Sequence, residues 1–123
     1  MSALCILAAG KSLTLAATVF TLTWTHSVEK TAWQEDWALT PKGLVLTEAR
    51  IKGSGAGMDP GEGAREVEGW WVWQPTTPPV SELVLASSGT TASGWQLCTG
   101  RGCIELGVQA EAPIVVRPCD PGK

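Results

Sequence analysis

The stretch Phe20-Thr-Leu-Thr-Trp-Thr-His-Ser-Val28 decides the fold class of this chain. Its even positions, from Phe20 to Val28, carry the larger side chains, whereas its odd positions carry only threonine or serine. Because successive side chains of a β-strand point to opposite faces of the sheet, this alternation predicts a half-buried strand. Its buried face would hold the single histidine, His26, between Trp24 and Val28.

Strand signals continue on both sides of this stretch, and no window of the chain has the apolar spacing of an amphipathic helix. The other predicted strands cover residues 4–8, 13–17, 33–39, 44–52, 70–74, 83–86, 95–98, 104–106 and 114–117. The first two would form a hairpin, and residues 20–52 would form an antiparallel meander of three strands. We therefore predict an all-β fold, a single-domain antiparallel β-barrel or sandwich of about nine or ten short strands.

The chain of 123 residues is long enough for one hydrophobic core, and no linker divides it. We predict a single domain over residues 1–123, with a core at about 3–117, a flexible glycine-rich loop at about 53–66 and a loose C-terminal tail. Nine basic and twelve acidic residues give a net charge of −3 without a cluster of either sign. Because phosphate binding requires clustered Lys and Arg, a nucleic-acid partner is not expected.

The apolar segments are too short or too polar to cross a membrane. The N-terminal apolar run has about eight residues and no basic segment before it, so it is a poor secretory signal. Residues 12–24 contain four threonines and are shorter than the roughly 20 apolar residues of a transmembrane helix. The chain as written is expected to be cytoplasmic with no membrane span, or periplasmic if a leader was trimmed. No cofactor is expected.

Four cysteines allow three complete sets of disulfide pairings. Cys98 and Cys103 flank Thr99-Gly-Arg-Gly102, whose composition favours a turn that would bring the two thiols together across a hairpin. Cys5 and Cys119 could pair if the terminal strands are neighbours. The alternative is four reduced, mostly buried thiols. A zinc site is disfavoured because one C-x4-C pair without a second close pair is not a ligand set.

The first candidate site is centred on His26. Cross-strand neighbours approach within about 5.5 Å at Cβ, so Glu35 or Asp36 could lie opposite His26 or Lys30. A carboxylate there would raise the pKa of the imidazole and form either a polar ligand site or an acid/base pair. The alternative is a core histidine that determines the strand register.

The second candidate is the glycine-rich segment that follows Arg50. Gly53, Gly55 and Gly57 form a G-x-G-x-G pattern, and glycines allow the backbone to approach an anion closely. The pattern does not match the phosphate-binding loop of nucleotide enzymes, and no helix follows it. The segment is either a binding loop, with Arg50 and Lys52 attracting a carboxylate, or a mobile hairpin loop.

Seven tryptophans, with one Phe and no Tyr, supply nearly all the aromatic bulk. Trp70 and Trp71 are adjacent and would point to opposite faces of a strand. At least one indole would then be exposed or cover a groove, as at many binding surfaces, unless both faces of the sheet are covered.

Four blocks of sequence are specific when taken together. They are Thr23-Trp-Thr-His-Ser-Val-Glu-Lys-Thr31 with Trp33-Gln-Glu-Asp-Trp37, residues 44–58, Gly69-Trp-Trp-Val-Trp73, and Leu97-Cys-Thr-Gly-Arg-Gly-Cys103. Over about residues 3–106 the chain resembles a bacterial domain-of-unknown-function family, number 1850. The resemblance implies an accessory role beside tripartite solute transporters of the TAXI type and no established activity, and it does not extend to the tail from Val108.

We therefore expect an uncharacterised, non-enzymatic binding or interaction module, whose partner is a protein such as a transporter component or a small acidic metabolite. One alternative is a small hydrolase or isomerase in which His26 acts as the base with Glu35 or Asp36. Another is a purely structural domain. The expected ligand-binding residues, which include no metal ligand, are His26, Glu29, Lys30, Glu35, Asp36, Arg50, Gly53, Gly55 and Gly57.

Overall fold

The fold is seen in a computed structural model, which describes residues 3–8, 10–25, 32–52, 62–85, 94–107 and 113–119. Within these ranges the chain forms eleven strands and no helix. The strands are β1 (Ala3–Ala8), β2 (Lys11–Leu15), β3 (Val19–Thr25), β4 (Ala32–Thr40), β5 (Gly43–Lys52), β6 (Arg65–Val67), β7 (Trp70–Trp73), β8 (Leu83–Leu85), β9 (Trp95–Thr99), β10 (Gly102–Leu106) and β11 (Ile114–Cys119).

The strands form two antiparallel sheets. The four-stranded sheet has the order β2-β1-β11-β8, and the seven-stranded sheet has the order β10-β9-β3-β4-β5-β7-β6. The prediction of an all-β fold is confirmed, as are the first hairpin of β1 with β2 and the meander of β3, β4 and β5. The described residues do not form a closed barrel.

Side-chain alternation in β3 determines which face of the seven-stranded sheet is buried. Phe20 and Leu22 are buried and Trp24 is half-buried on one face, whereas Val19 on the other face is 60% exposed. The predicted continuation of this face to His26 lies outside the described residues. Both sheets contribute to one apolar cluster, which consists of Leu4, Ile6, Phe20, Leu22, Trp37, Leu44, Leu85, Leu97, Ile114 and Val116. We call the sheet faces that contact this cluster inner and the opposite faces outer.

The strand predicted at 114–117 is present as β11 and extends to Cys119. It is an interior strand of the four-stranded sheet and pairs with β1 on one side and β8 on the other. Of the loose tail predicted after residue 117, residues 120–123 lie outside the described part of the chain. Ile114 and Val116 are completely buried in the shared cluster, and Cys119 is bonded to Cys5. Burial of these side chains and the disulfide hold the segment in place as far as residue 119.

The glycine-rich loop was predicted at about 53–66, and the structure adds a short strand, β6, that begins at Arg65. All three residues of β6 are exposed, so no apolar alternation marked the strand. The available signal in the sequence was the glycine of the pair Glu68-Gly69, which favours a tight turn. In the structure both residues have positive φ, 51° and 89°. A two-residue hairpin turn requires such φ values, and here it joins β6 to β7. Residues 53–61 lie outside the described part of the chain.

A β-bulge determines which side chains of β5 face inward. Asp36 pairs with Glu48, and the next residue of β4 pairs with Leu46, so Thr47 is an extra residue in the ladder. Because of this extra residue, the inward-facing positions of β5 are even-numbered before the bulge and odd-numbered after it. Leu46 and Ala49 therefore both face the inner side, while Glu48 faces the outer side.

Candidate functional site

Consecutive positions in β4 place Glu35 and Asp36 on opposite faces of the seven-stranded sheet. Glu35 pairs with Leu22 and faces inward, whereas Asp36 pairs with Thr21 and faces outward. In this register neither carboxylate is the cross-strand partner of residue 26. Because they lie on opposite faces, the two carboxylates do not share a site. Three further candidates, His26, Glu29 and Lys30, lie outside the described residues.

On the outer face, Arg50 binds both carboxylates that lie next to it. Its Nη1 and Nη2 donate to Oδ2 and Oδ1 of Asp36 at 2.9 and 3.0 Å, which is the bidentate geometry favoured by a guanidinium. Nη1 also donates to Glu48, and Nε donates to Oε1 of Gln34 at 2.9 Å. We call Thr21, Gln34, Asp36, Glu48 and Arg50 the outer polar cluster.

The charge balance of the outer polar cluster changes the interpretation of Arg50. One of the two interpretations of the glycine-rich segment was a binding loop in which Arg50 and Lys52 attract a carboxylate. In the structure its one positive charge faces the two negative charges of Asp36 and Glu48, so the cluster carries a net negative charge. A carboxylate ligand would be repelled here, and a cationic or neutral donor group would be attracted.

These contacts keep Asp36 ionised. The hydrogen bond from Arg50 lowers the pKa of Asp36, partial burial opposes this effect, and Thr21 adds a hydrogen bond from Oγ1 to Oδ1 at 2.8 Å. The hydrogen bond to Asp36 in turn raises the pKa of Arg50. Both groups are therefore charged at neutral pH and form a fixed pattern of donors and acceptors rather than a proton-transfer site.

Glu35 has the opposite environment on the inner face. Burial raises the pKa of Glu35, and a hydrogen bond donated by Nε1 of Trp37 to Oε1, at 3.1 Å, only partly offsets this effect. Its partners in the neighbouring strands, Leu22 and Ala49, are both buried and apolar. An inner-face carboxylate of this kind favours its neutral form more than an ordinary glutamate does.

Four half-buried indoles lie on the inner face of the seven-stranded sheet, on the same side as Glu35. Trp24 and Trp33 are cross-strand partners that stack with their ring centroids 5.7 Å apart. Trp95 lies 4.8 Å from Trp24, and Trp73 contacts Trp33 edge-on at 6.2 Å. These tryptophans extend the apolar cluster towards one end of the seven-stranded sheet.

The adjacent tryptophans of β7 point to opposite faces, as predicted. Trp71 pairs with the buried Ile51 and faces inward, whereas Trp70 pairs with Lys52 and faces outward. Nζ of Lys52 lies 5.6 Å from the Trp70 ring centroid. Both indoles are half-buried, so the outward-facing one is partly covered by this lysine rather than fully exposed.

A cavity of about 360 Å³ opens on the outer face next to the outer polar cluster, and we call it the outer cavity. Its lining residues are Val19, Phe20, Thr21, Asp36, Trp37, Thr47, Cys98, Thr99 and Gly100. The hydroxyl of Thr47 donates to the main-chain oxygen of Asp36 at 3.1 Å and so fixes one wall. Sequence reasoning identified Asp36 but missed Val19 and Thr47. For Thr21 a signal was available in the sequence, because the alternation along β3 predicts that its threonines share one polar face.

A disulfide forms part of the wall of the outer cavity. Cys98 and Cys103 are directly opposite each other in β9 and β10, and Cys98 also pairs with Thr21. The second disulfide joins Cys5 to Cys119. All four cysteines are therefore in disulfides, which leaves no thiolate in the chain as a nucleophile or metal ligand.

Other features that the sequence analysis considered add no further site within the described ranges. No three His, Cys, Asp or Glu side chains there lie close enough together to hold a metal ion. No helix in those ranges has the length and hydropathy that a membrane crossing requires. Gly53, Gly55 and Gly57 lie outside the described residues, so the anion-binding loop stays a prediction.

Comparison with known protein families matches most of this chain. A family model described as a domain of unknown function (DUF1850) covers residues 20–106. No curated protein and no solved structure matches the chain. The matched range includes every residue of the outer polar cluster and both cysteines at the outer cavity, and it excludes β1, β2 and β11.

Proposed function

We propose that this chain, which belongs to the DUF1850 family of domains of unknown function, is a non-enzymatic binding module whose outer cavity receives a protein partner. The observation that carries the proposal is the outer cavity, where an ionised Asp36 held by Arg50 lies close to the exposed Val19. A fixed charge beside exposed apolar surface is typical of interaction surfaces.

The state of the carboxylates supports binding rather than catalysis. Asp36 accepts two hydrogen bonds from Arg50 and one from Thr21, and its pKa is lowered. A general acid or base needs a pKa near the working pH and access to a reacting group. Glu35, whose pKa is raised, faces the other side of the sheet and therefore does not complement Asp36 in one reaction centre.

The chemistry of the outer cavity indicates the kind of partner. The net negative charge of the outer polar cluster favours a segment that offers a basic side chain or N–H donors. Val19, which is 60% exposed, would contact an apolar side chain of the same segment. We place the module beside a TAXI-type tripartite solute transporter, because its sequence blocks resemble those of a family encoded next to such transporters.

We also propose the sandwich form of the fold rather than the barrel form. Its support is that both sheets bury side chains in one apolar cluster, while the edge strands β2 and β10 are not paired with each other. This arrangement leaves the outer face of the seven-stranded sheet open to a partner.

A binding experiment with two matched valine variants tests the proposal. The solute-binding subunit of a TAXI-type transporter is titrated into the ¹⁵N-labelled chain, and we expect amide shifts at Val19, Thr21, Asp36 and Thr47. Val19→Asp should weaken binding by about tenfold or more, because it removes the apolar contact and places a hydrated carboxylate against the apolar side chain of the partner.

The control is Val84→Asp. Val84 is 59% exposed, nearly the same as Val19, but it lies on the four-stranded sheet. Equal binding by the two variants, or shifts that cluster away from the outer cavity, would refute the proposed surface.

A further inference from the structure

A second cavity lies between the edges of the two sheets, far from the outer polar cluster in the strand order. It is formed where β2, the edge of the four-stranded sheet, faces β10, the edge of the seven-stranded sheet. Its volume is about 310 Å³, at the lower end of the range for small-molecule sites. We call it the edge cavity, and it is lined by Ile6, Ala8, Lys11, Ser12, Leu13 and Leu106.

Most of the wall of the edge cavity is apolar, and two of its side chains, Leu13 and Leu106, are incompletely covered by the protein. Ile6 is 1% exposed and belongs to the apolar cluster. Its cross-strand partner Leu13 lies on the same face but is 44% exposed. Leu106, on the opposite sheet, is half-buried against the cluster. An apolar group that entered between Leu13 and Leu106 would remove this surface from water, which is favourable.

Lys11 is the charged residue of this cavity. It begins β2, directly opposite Ala8, and it is exposed. Its ammonium has no ion-pair partner among the residues that the structure describes, in contrast to Arg50 on the outer face. A lysine can lay its aliphatic stem along an apolar wall while its ammonium reaches the solvent at the opening.

We propose that the edge cavity binds an aliphatic carboxylate. The alkyl chain lies between Leu13 and Leu106 and reaches Ile6, and the carboxylate pairs with the ammonium of Lys11. An uncharged aliphatic ligand would use only the apolar walls, and a short acid such as acetate would use only the lysine. The combination of both features selects a ligand with an anionic head and an apolar tail.

A titration with three matched probes tests the ligand class. Octanoate, octanol and acetate are each added to the ¹⁵N-labelled full chain. We expect saturable shifts at Ile6, Ala8, Leu13 and Leu106 with octanoate, about tenfold weaker binding of octanol, and no saturation with acetate. Octanol binding as tightly as octanoate, or shifts that scatter over the surface without saturating, would overturn the proposal.

Two lysine variants test the role of the charge. Lys11→Met keeps a long apolar stem and should weaken octanoate binding about tenfold while leaving octanol binding unchanged. The control is Lys42→Met, which removes an exposed lysine in the turn between β4 and β5 and should leave octanoate binding unchanged. Equal octanoate affinities for the two variants would overturn the assignment of Lys11.

A third variant tests the cavity itself. Ala8→Leu fills the space and should weaken both octanoate and octanol. Because overpacking can also prevent folding, the two lysine variants decide the proposal if Ala8→Leu does not fold. Undiminished octanoate binding by a folded Ala8→Leu protein would overturn the site.

Sedimentation velocity, run at the concentrations of the titration, distinguishes the ligand from a second copy of the chain as the occupant. A monomer that binds octanoate supports the proposal. A dimer that Leu13→Asp dissociates, and that octanoate does not affect, would overturn it in favour of an interface between two copies.

Discussion

The two sheets of this protein are assembled from different parts of the chain. The seven-stranded sheet has three consecutive strands, β3, β4 and β5, at its centre, whereas the four-stranded sheet combines β1 and β2 with β8 and β11. Each sheet carries one disulfide, between residues separated by 5 positions in the larger sheet and by 114 in the smaller. One sheet therefore depends on neighbouring strands, and the other depends on bringing the two ends of the chain together.

Removal of the terminal disulfide should have the largest effect on stability. Cys5→Ser with Cys119→Ser should lower the free energy of unfolding by about 5 kcal/mol, since the bond closes a very long loop in the unfolded chain. Cys98→Ser with Cys103→Ser should cost only about 2 kcal/mol, because its loop is short. Urea unfolding without reductant measures both values. Equal losses would contradict the difference between the two sheets.

Arg50→Met should have the next largest effect, and it is specific to the seven-stranded sheet. The substitution leaves Asp36 and Glu48 side by side without their cation, and Gln34 loses a donor. We expect a loss of about 2 kcal/mol in urea unfolding, a value limited by solvent screening of these half-exposed groups. Lys42→Met is the control and should change stability by less than about 0.5 kcal/mol. A similarly small change for Arg50→Met would show that the outer polar cluster does not stabilise the sheet.

The pH dependence of stability should separate the two carboxylates of β4. Glu35 has a raised pKa, so its charged form costs stability, and stability rises as the pH falls through that pKa towards the ordinary glutamate value of about 4.3. Asp36 has a lowered pKa, so its contribution is present above the ordinary aspartate value of about 3.9 and is lost as the pH falls through the lowered pKa. The free energy of unfolding should therefore be highest in mildly acidic solution.

Glu35→Gln gives the smallest expected change. It tests whether Glu35 causes the rise in stability on mild acidification. Glutamine keeps an acceptor for Nε1 of Trp37 and carries no charge, so stability at pH 7 should increase by about 1 kcal/mol. The rise on mild acidification should disappear, while the loss at lower pH should remain. In Asp36→Asn the rise on mild acidification should remain, while the loss at lower pH should disappear. Urea unfolding between pH 3 and pH 7 measures both profiles, and a Glu35→Gln profile identical to that of the unmodified protein would contradict the assignment.

Local pattern was enough to predict much of the seven-stranded sheet. The alternation from Phe20 to Trp24 places those even-numbered residues on the inner face, as observed. The turn composition between Cys98 and Cys103 indicated a hairpin that could bring them together, and they are cross-strand partners. Such signals involve residues that are close in the chain, so the physics that determines them is contained in a short window.

The candidate site could be predicted only in part, because it depends on register. Asp36 and Arg50 were both identified as ligand-binding candidates, but their contact with each other was not foreseen. That contact requires the pairing of β4 with β5 and the bulge at Thr47, which turns Glu48 outward beside them. The acidic ligand predicted for Arg50 stays a prediction, and the two carboxylates that Arg50 binds weaken its attraction for an anion. No residue pattern within one strand reports the register between two strands.

The amino-acid sequence by itself determined the all-β class, the inward face of β3 and the turns of the local hairpins, because alternation and turn chemistry act between neighbouring residues. Only the tertiary structure decided that β11 lies between β1 and β8, that Arg50 binds Asp36 across the β4–β5 pair, and that Lys11 borders an apolar cavity. These outcomes depend on burial and pairing between strands that are far apart in the chain. Such contacts form only when the two sheets pack around one core, so no short window of sequence determines them.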